Sequence, residues 1–205
     1  MGRYDDIALV CVTDKSSDRS IDGHGYMDYF EEHLRGHDPR RILEIGVGGG
    51  GSLKMWETIF PHALIVGVDI HPGCLAEAGR SRVVELINAR DLRPLVRKYG
   101  SFDFIVDDGS HIAEEIFLAL DVLWDALTPG GLYAIEDMYC DLFDDMPKCT
   151  RGELLVAKDQ WPGFCGDLVD WVLARDDVAA MTVHRCQLTA PNSDGQCIIF
   201  LEKKL

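Results

Sequence analysis

Two short stretches, DDGSH at residues 107–111 and IED at residues 135–137, each end an apolar run in carboxylates. Asp108 and Glu136 are 28 residues apart in the chain. Neighbouring parallel strands nevertheless lie about 4.8 Å apart, and their carboxyl ends face the crevice where ligands bind. Asp108, Glu136 and Asp137 meeting there would repel and raise one another's pKa unless a cation sat among them. Hard oxygen donors favour magnesium, manganese or calcium over zinc. His111 follows past a glycine and a serine, and imidazole titrates near neutral pH, which suits proton abstraction. A metal bound to a hydroxyl lowers its pKa and orients it while a base takes the proton. The bland alternative is that acids are common at strand ends and that Ser110 or His111 caps the next helix. Asp107 reads as a cofactor-side or structural acid rather than a metal ligand.

A second constellation is LEIGVGGGGS at residues 43–52. Gly46, Gly48 and Gly51 satisfy G-x-G-x-x-G, in which glycine lets the backbone turn sharply and approach a ligand, but the pattern alone is weak. Two acids sharpen it. Asp69 ends the next apolar run in GVDI, where a carboxylate can accept both ribose hydroxyls of an adenosine. Glu44 precedes the first glycine by two residues, and an acid there has no purpose beside an anionic pyrophosphate. It suits a cofactor with a cationic amino acid end, and S-adenosylmethionine is one. The bland alternative is a tight turn only.

These residues need elements that bring them together. RILEIGV, ALIVGVDI, RVVELIN, FDFIVDD and GLYAIED read as strands, separated by helical stretches such as SLKMWETIF. GYMDYFEEHL places Met27, Phe30 and Leu34 on one helical face, and the long helix before TPGG does the same for Ile112, Ile116, Leu120, Leu123 and Leu127. Continuous apolar strands between amphipathic helices imply a parallel sheet covered on both faces. After Asp137 the alternation fails, and residues 138–166 read as an excursion over the site with little strand signal. The helix DLVDWVLARDD returns the chain. AMTVHRCQLTA and QCIIFLEKK then flank PNSDG as an antiparallel hairpin. The expectation is one α/β domain over residues 1–205: a doubly wound, mostly parallel seven-stranded sheet closed by that hairpin. Residues 1–40 form a preamble and helix over the cofactor pocket.

Composition narrows the function classes. The chain has 205 residues and a net charge of −15, a field that repels nucleic acid phosphates and anionic membranes. The seven cysteines show no C-x-x-C pair or zinc-ligand spacing, and several lie in strand-like runs such as ALVCV. They read as reduced thiols in a cytoplasmic protein. No stretch reads as a signal peptide or membrane span.

Taken together, TDK (13–15), HGYMDYFEEHL (24–34), the glycine turn, GVDI, DDGSH and GGLYAIED resemble the class I S-adenosylmethionine-dependent methyltransferases with their Rossmann-like fold. They are most similar to the magnesium-dependent sugar O-methyltransferases of macrolide biosynthesis. The resemblance implies that Glu44, Gly46, Gly48 and Gly50 hold the methionine end and Asp69 the ribose. Asn88, ahead of Asp91, is implied near the adenine. It further implies metal acids at Asp108, Glu136 and Asp137, a general base at His111, and a hydroxyl of a sugar-bearing small molecule as acceptor. Members of that kind carry an additional amino-terminal portion that helps assemble the oligomer. This chain is short, which leaves both the oligomeric state and the acceptor open, with a homo-oligomer as one expectation. Lys15, His24 and Tyr26 are candidate pocket residues, and Trp161 and Phe164 could line an acceptor site. Rival readings are a nicotinamide-dependent oxidoreductase, a non-catalytic cofactor-binding partner and an aminopropyltransferase. The antiparallel hairpin and Glu44 argue against the first.

Overall fold

The computed structural model describes residues 2–17, 23–139, 146–150, 153–154, 163–185 and 196–205. The apolar runs become strands: β1 (Arg41–Ile45), β2 (Leu64–Asp69), β3 (Arg82–Leu86), β4 (Phe102–Asp107), β5 (Leu127–Tyr139), β6 (Met146–Thr150), β7 (Val178–Arg185) and β8 (Gln196–Lys203). Between and before them lie α1 (Arg3–Cys11), α2 (Met27–His33), α3 (Gly51–Ile59), α4 (Arg93–Tyr99), α5 (Ala113–Ala126) and α6 (Gly163–Leu173). The sheet order is β3-β2-β1-β4-β5-β8-β7-β6. The first five strands pair in parallel and the last three antiparallel. None of the helices among the described residues is long and apolar enough to cross a membrane.

The sheet has eight strands rather than the expected seven. The extra one, β6, comes from the stretch read as an excursion and pairs with β7. Its sequence MPKCT has no alternation and contains a proline, which a sheet tolerates at an edge, where β6 lies. The run ALVCV is a second correction, because it belongs to helix α1 and not to a strand. Tyr4, Ile7, Ala8 and Cys11 recur at helical spacing and pack on one core layer, leaving Val10 82% exposed. Ile112 does not share the buried face of α5 because it precedes the first turn. Cys165 is disulfide-bonded, against the expectation of reduced thiols, while Cys11, Cys74, Cys149 and Cys197 form no disulfide. The turn PNSDG and Trp161 lie outside the described residues. Phe164 packs its ring on Phe117 at 5.4 Å, as a core residue does.

Strand alternation divides the core into two layers. Ile42, Phe104, Val106, Leu132 and Ala134 face α1, α2 and α3. Leu43, Ile45, Ile105, Tyr133 and Ile135 face α4, α5 and α6. The layers govern the acids at the strand ends. Asp107 falls on the α5 side, where the Tyr133 hydroxyl donates to its Oδ2 at 3.2 Å, and burial pushes its carboxyl up to about 7. Asp108, one residue on, falls on the other side.

The turn after β1 is held against the end of β4. Gly46 has a φ of 88°, and a Cβ on it would lie 2.0 Å from the Asp108 carbonyl oxygen. Gly46→Ala therefore meets both left-handed backbone strain and a backbone clash. It should lower unfolding stability by more than about 2 kcal/mol, read as the urea midpoint. A wild-type midpoint would show that the turn can move away.

The Asp107 carboxyl carries a pH dependence of known sign. Its folded pKa lies above its unfolded value, so its contribution is complete below about pH 4 and is lost as pH rises through about 7. Asp107→Asn should flatten the pH 5–8 stability profile of the metal-free protein by up to about 1.4 kcal/mol per pH unit. An unchanged slope in urea titrations would mean that Asp107 is ionised throughout.

Candidate active site

The even-numbered acids Glu44, Asp108 and Glu136 extend the layer that faces α1–α3, at the ends of β1, β4 and β5. What they meet there is an ammonium. Lys15 is fully buried, with Nζ 2.6 Å from Asp108 Oδ2, 2.9 Å from Glu136 Oε2 and 3.5 Å from Glu44 Oε1. Burial works against the charge on Lys15, but the carboxylates of Asp108, Glu136 and Glu44 outweigh it and hold its pKa well above the ordinary lysine value. The acids feel the converse. Burial raises the pKa of Asp108 and of Glu136, and it lifts Glu44 to about 7 even though Lys15 and the Trp56 indole oppose it. One ammonium thus serves three acids, and burial works against their ionisation.

Asp137 reaches the same place by a different route. Strand alternation would send it to the α5 side with Asp107 and Ile135. The pairing of β5 with β8 slips between Ile135 and Met138, and Asp137 takes a φ of 56°. Such a bulge re-aims a side chain. Asp137 Oδ1 accepts from the Tyr26 hydroxyl at 2.7 Å and lies 2.9 Å from His24 Nδ1. Burial would raise the Asp137 pKa, but His24 lowers it below the usual range; burial likewise opposes the charge on His24, and Asp137 raises its pKa overall.

His111 also sits in left-handed backbone, with a φ of 54°. Among the described residues, Asp108, His111 and Asp137 each offer a ligand atom, all within 4.8 Å of one another. His111 thus stands in that group where Glu136 was expected, since Glu136 is drawn to Lys15. Glu136 is only 1% exposed, however, and its second oxygen, Oε1, has no hydrogen-bond partner. An orphaned buried carboxyl oxygen among three acids that share one ammonium fits a hard dication.

A cavity of about 780 Å³ opens onto this cluster, lined among others by Thr13, Asp14, Gly46, Gly48, Asp69, Asp108, His111 and Asp137. Asp69 accepts from the amides of His71, Val47 and Gly48; burial opposes, but these bonds lower its pKa. Gly48 has a φ of 49° and nothing within 4 Å of a would-be Cβ, so its backbone is open to a ligand. A smaller cavity of about 220 Å³ continues past Asp69 along Ile70, Asn88 and Ala89, which places Asn88 on the far side of Asp69 from the acids. The side-chain oxygen of Asn88 accepts from the Arg90 amide. Neither Asp107 nor Glu44 lines either cavity; Glu44 is fully buried and accepts from Trp56 Nε1 at 2.9 Å. Ser110 Oγ receives the Ile112 amide at 3.4 Å, but α5 has no side-chain cap, so neither Ser110 nor His111 caps it.

Sequence reasoning placed Lys15 only in the pocket and missed its part in the acid cluster. Nothing local to residue 15 points to partners 93 and 121 residues away.

No protein-family model matches the chain. Over 157 residues it is 34% identical to a demethylmacrocin O-methyltransferase of Streptomyces fradiae, covering 70% of this chain and 35% of that protein. Over 154 residues it is 38% identical to a mycinamicin VI 2''-O-methyltransferase of Micromonospora griseorubida, covering 70% of this chain and 34% of that one. The chain thus spans about a third of the length of these curated relatives. Among solved structures it superposes on a methyltransferase from the mycinamycin biosynthetic pathway in complex with Mg, SAH and mycinamycin VI. The TM-score is 0.73 at 26% identity, over 99% of this chain and 55% of that one. In sheet order, glycine turn and these likenesses the chain resembles the class I S-adenosylmethionine-dependent methyltransferases and, among them, the sugar O-methyltransferases of macrolide and polyketide biosynthesis.

Proposed function

We propose that the chain catalyses S-adenosylmethionine-dependent O-methylation of a small molecule, assisted by a divalent ion of the magnesium type. The acceptor is a hydroxyl of a sugar or sugar-bearing natural product, in line with relatives named for rhamnosyl and olivosyl substrates. The observation that carries this reading is the acid cluster: three carboxylates share one ammonium, and the buried Glu136 Oε1 is left without a partner.

In this reading Gly46 and Gly48 give backbone access to the cofactor and Asp69 takes its ribose. Glu44 supplies negative charge beneath the methionine end, and Asn88 borders the adenine. Asp108, Glu136 and Asp137 hold the ion. When bound, the cofactor supplies an electrophilic methyl group and the dication acidifies and orients the acceptor hydroxyl. His111, at the cavity mouth beside Asp108 and Asp137, takes the hydroxyl proton on its imidazole. The rest is positioning of the acceptor oxygen in line with the methyl group. The net charge of −15 supports a small-molecule acceptor over nucleic acid. A homo-oligomer completes the reading, and sedimentation of the purified chain tests that part.

Calorimetry should register S-adenosylhomocysteine and not NAD. Heat from NAD alone would return the oxidoreductase reading. With a macrolide glycoside as acceptor, EDTA should abolish turnover and magnesium restore it; full turnover in chelator would remove the ion while leaving the cofactor assignment intact. His111→Ala should lower turnover by about 10²- to 10⁴-fold with unchanged S-adenosylhomocysteine affinity. Undiminished turnover would take the base away from His111.

A further inference from the structure

Every acid of the cluster is gripped by one short strap. Residues 13–17 and 24–26 lie side by side, with the amides of His24, Gly25 and Tyr26 donating to the carbonyls of Asp14, Ser16 and Lys15 at 2.5, 2.8 and 3.0 Å. The strap is fastened to α1. The Ser17 amide and hydroxyl donate to the buried Asp5 carboxylate at 2.8 and 2.6 Å, and the Thr13 amide donates to the Ala8 carbonyl. From this strap Lys15 takes Asp108 Oδ2 and Glu136 Oε2, while Tyr26 and His24 take Asp137 Oδ1. The division is regular: each acid has one oxygen engaged by the strap and one left over. For Glu136 the oxygen left over is the buried one that has no partner.

We infer that Lys15, His24 and Tyr26 are positioning residues for the ion. By claiming one oxygen of each acid, the strap orients Asp108 and Asp137, whose ligand atoms lie with that of His111 within 4.8 Å of one another, toward the dication and leaves Glu136 Oε1 unengaged. The inference rests on the ion reading proposed above and adds to it the residues that set carboxylate orientation. Ordering by such outer partners typically governs metal affinity by 10- to 100-fold. It also makes the amino-terminal strap part of the ion site, so the ion and the strap should stabilise one another.

Charge separates this role from simple neutralisation. If Lys15 only compensated its neighbours, removing its charge would leave the site more negative and tighten a dication. If it positions them, removal loosens the ion despite the added negative charge. Tyr26→Phe removes a hydroxyl without changing charge and keeps the ring that fills the core.

The test uses the full chain with Mn2+ as a spectroscopic probe, followed by electron paramagnetic resonance, and S-adenosylhomocysteine binding as the control. Wild-type protein should bind Mn2+, and Mg2+ should displace it. Tyr26→Phe and Lys15→Met should each bind Mn2+ at least tenfold more weakly, and Tyr26→Phe should keep S-adenosylhomocysteine affinity within twofold. Mn2+ binding by either variant as tight as wild type, or tighter, overturns the positioning role. So does a parallel loss of both ligands in Tyr26→Phe, which marks the strap as a brace for the fold. Absence of Mn2+ binding by the wild type would instead sink the ion site itself, and this inference with it.

Discussion

A lysine buried beyond the reach of water is stable only in company, because taking an ammonium out of water costs several kcal/mol that its partners must return. Lys15 finds that company at the ends of β1, β4 and β5, in Asp108, Glu136 and, at longer range, Glu44. The dependence runs both ways, since burial raises the pKa of all three acids and Lys15 opposes that rise. The cluster is thus the point at which the amino-terminal strap, the glycine turn and the two acid-bearing strands are tied together. Its acids outnumber its one ammonium, and that excess makes it more than a structural knot. A site with three acids to one ammonium and an unpartnered buried oxygen is prepared to ionise around something cationic.

Backbone strain is concentrated in the same place. Val12, His111 and Asp137 are the non-glycine residues with positive φ among those described, at 56°, 54° and 56°, and all three border the larger cavity. Each such residue costs on the order of 1 kcal/mol or more. The structure around them must therefore supply the difference, and it does so visibly. Asp137 is pinned by Tyr26 and His24. Val12 ends α1 where the strap begins, with its amide donating to the Leu9 carbonyl. His111 follows directly on the acids of β4 and precedes α5. Strain that coincides with a cavity and an excess of acids is consistent with a site organised before its ligands arrive.

The parallel half of the sheet was legible because buried parallel strands are written as continuous apolar runs, and RILEI, LIVGVD and FDFIVD are such runs. The acids were legible because DDGSH and IED interrupt those runs abruptly. Three features were not. Edge strand β6 has no pattern of its own and exists through its pairing with β7. Helix α1 shows helical spacing, but ALVCV considered alone looks like a strand. The role of Lys15 is set by contacts spanning about half the chain, which no local rule reports. The re-aiming of Asp137 is of the same kind, since the bulge that turns it is defined against β8, some sixty residues further on.

Register is what separates structure from chemistry here. Asp107 and Asp108 are the same residue type, adjacent in sequence, and they meet opposite fates. Asp107 enters the layer under α5 and is held by the Tyr133 hydroxyl, whereas Asp108 faces the strap and the cavity. A slip of β4 by one residue would exchange them, putting Asp108 among apolar side chains and breaking the cluster at its centre. Two contacts oppose that slip from different sides. Ile45 pairs with Asp107 in the ladder. The absence of a side chain on Gly46 lets the turn rest against the Asp108 carbonyl, a fit that any Cβ would spoil. Gly46 therefore serves two ends with one property. It opens the turn toward the cofactor cavity, and it locks the strand whose last carboxylate the ammonium needs, so a glycine that reads as part of a cofactor motif is equally a determinant of the ion site.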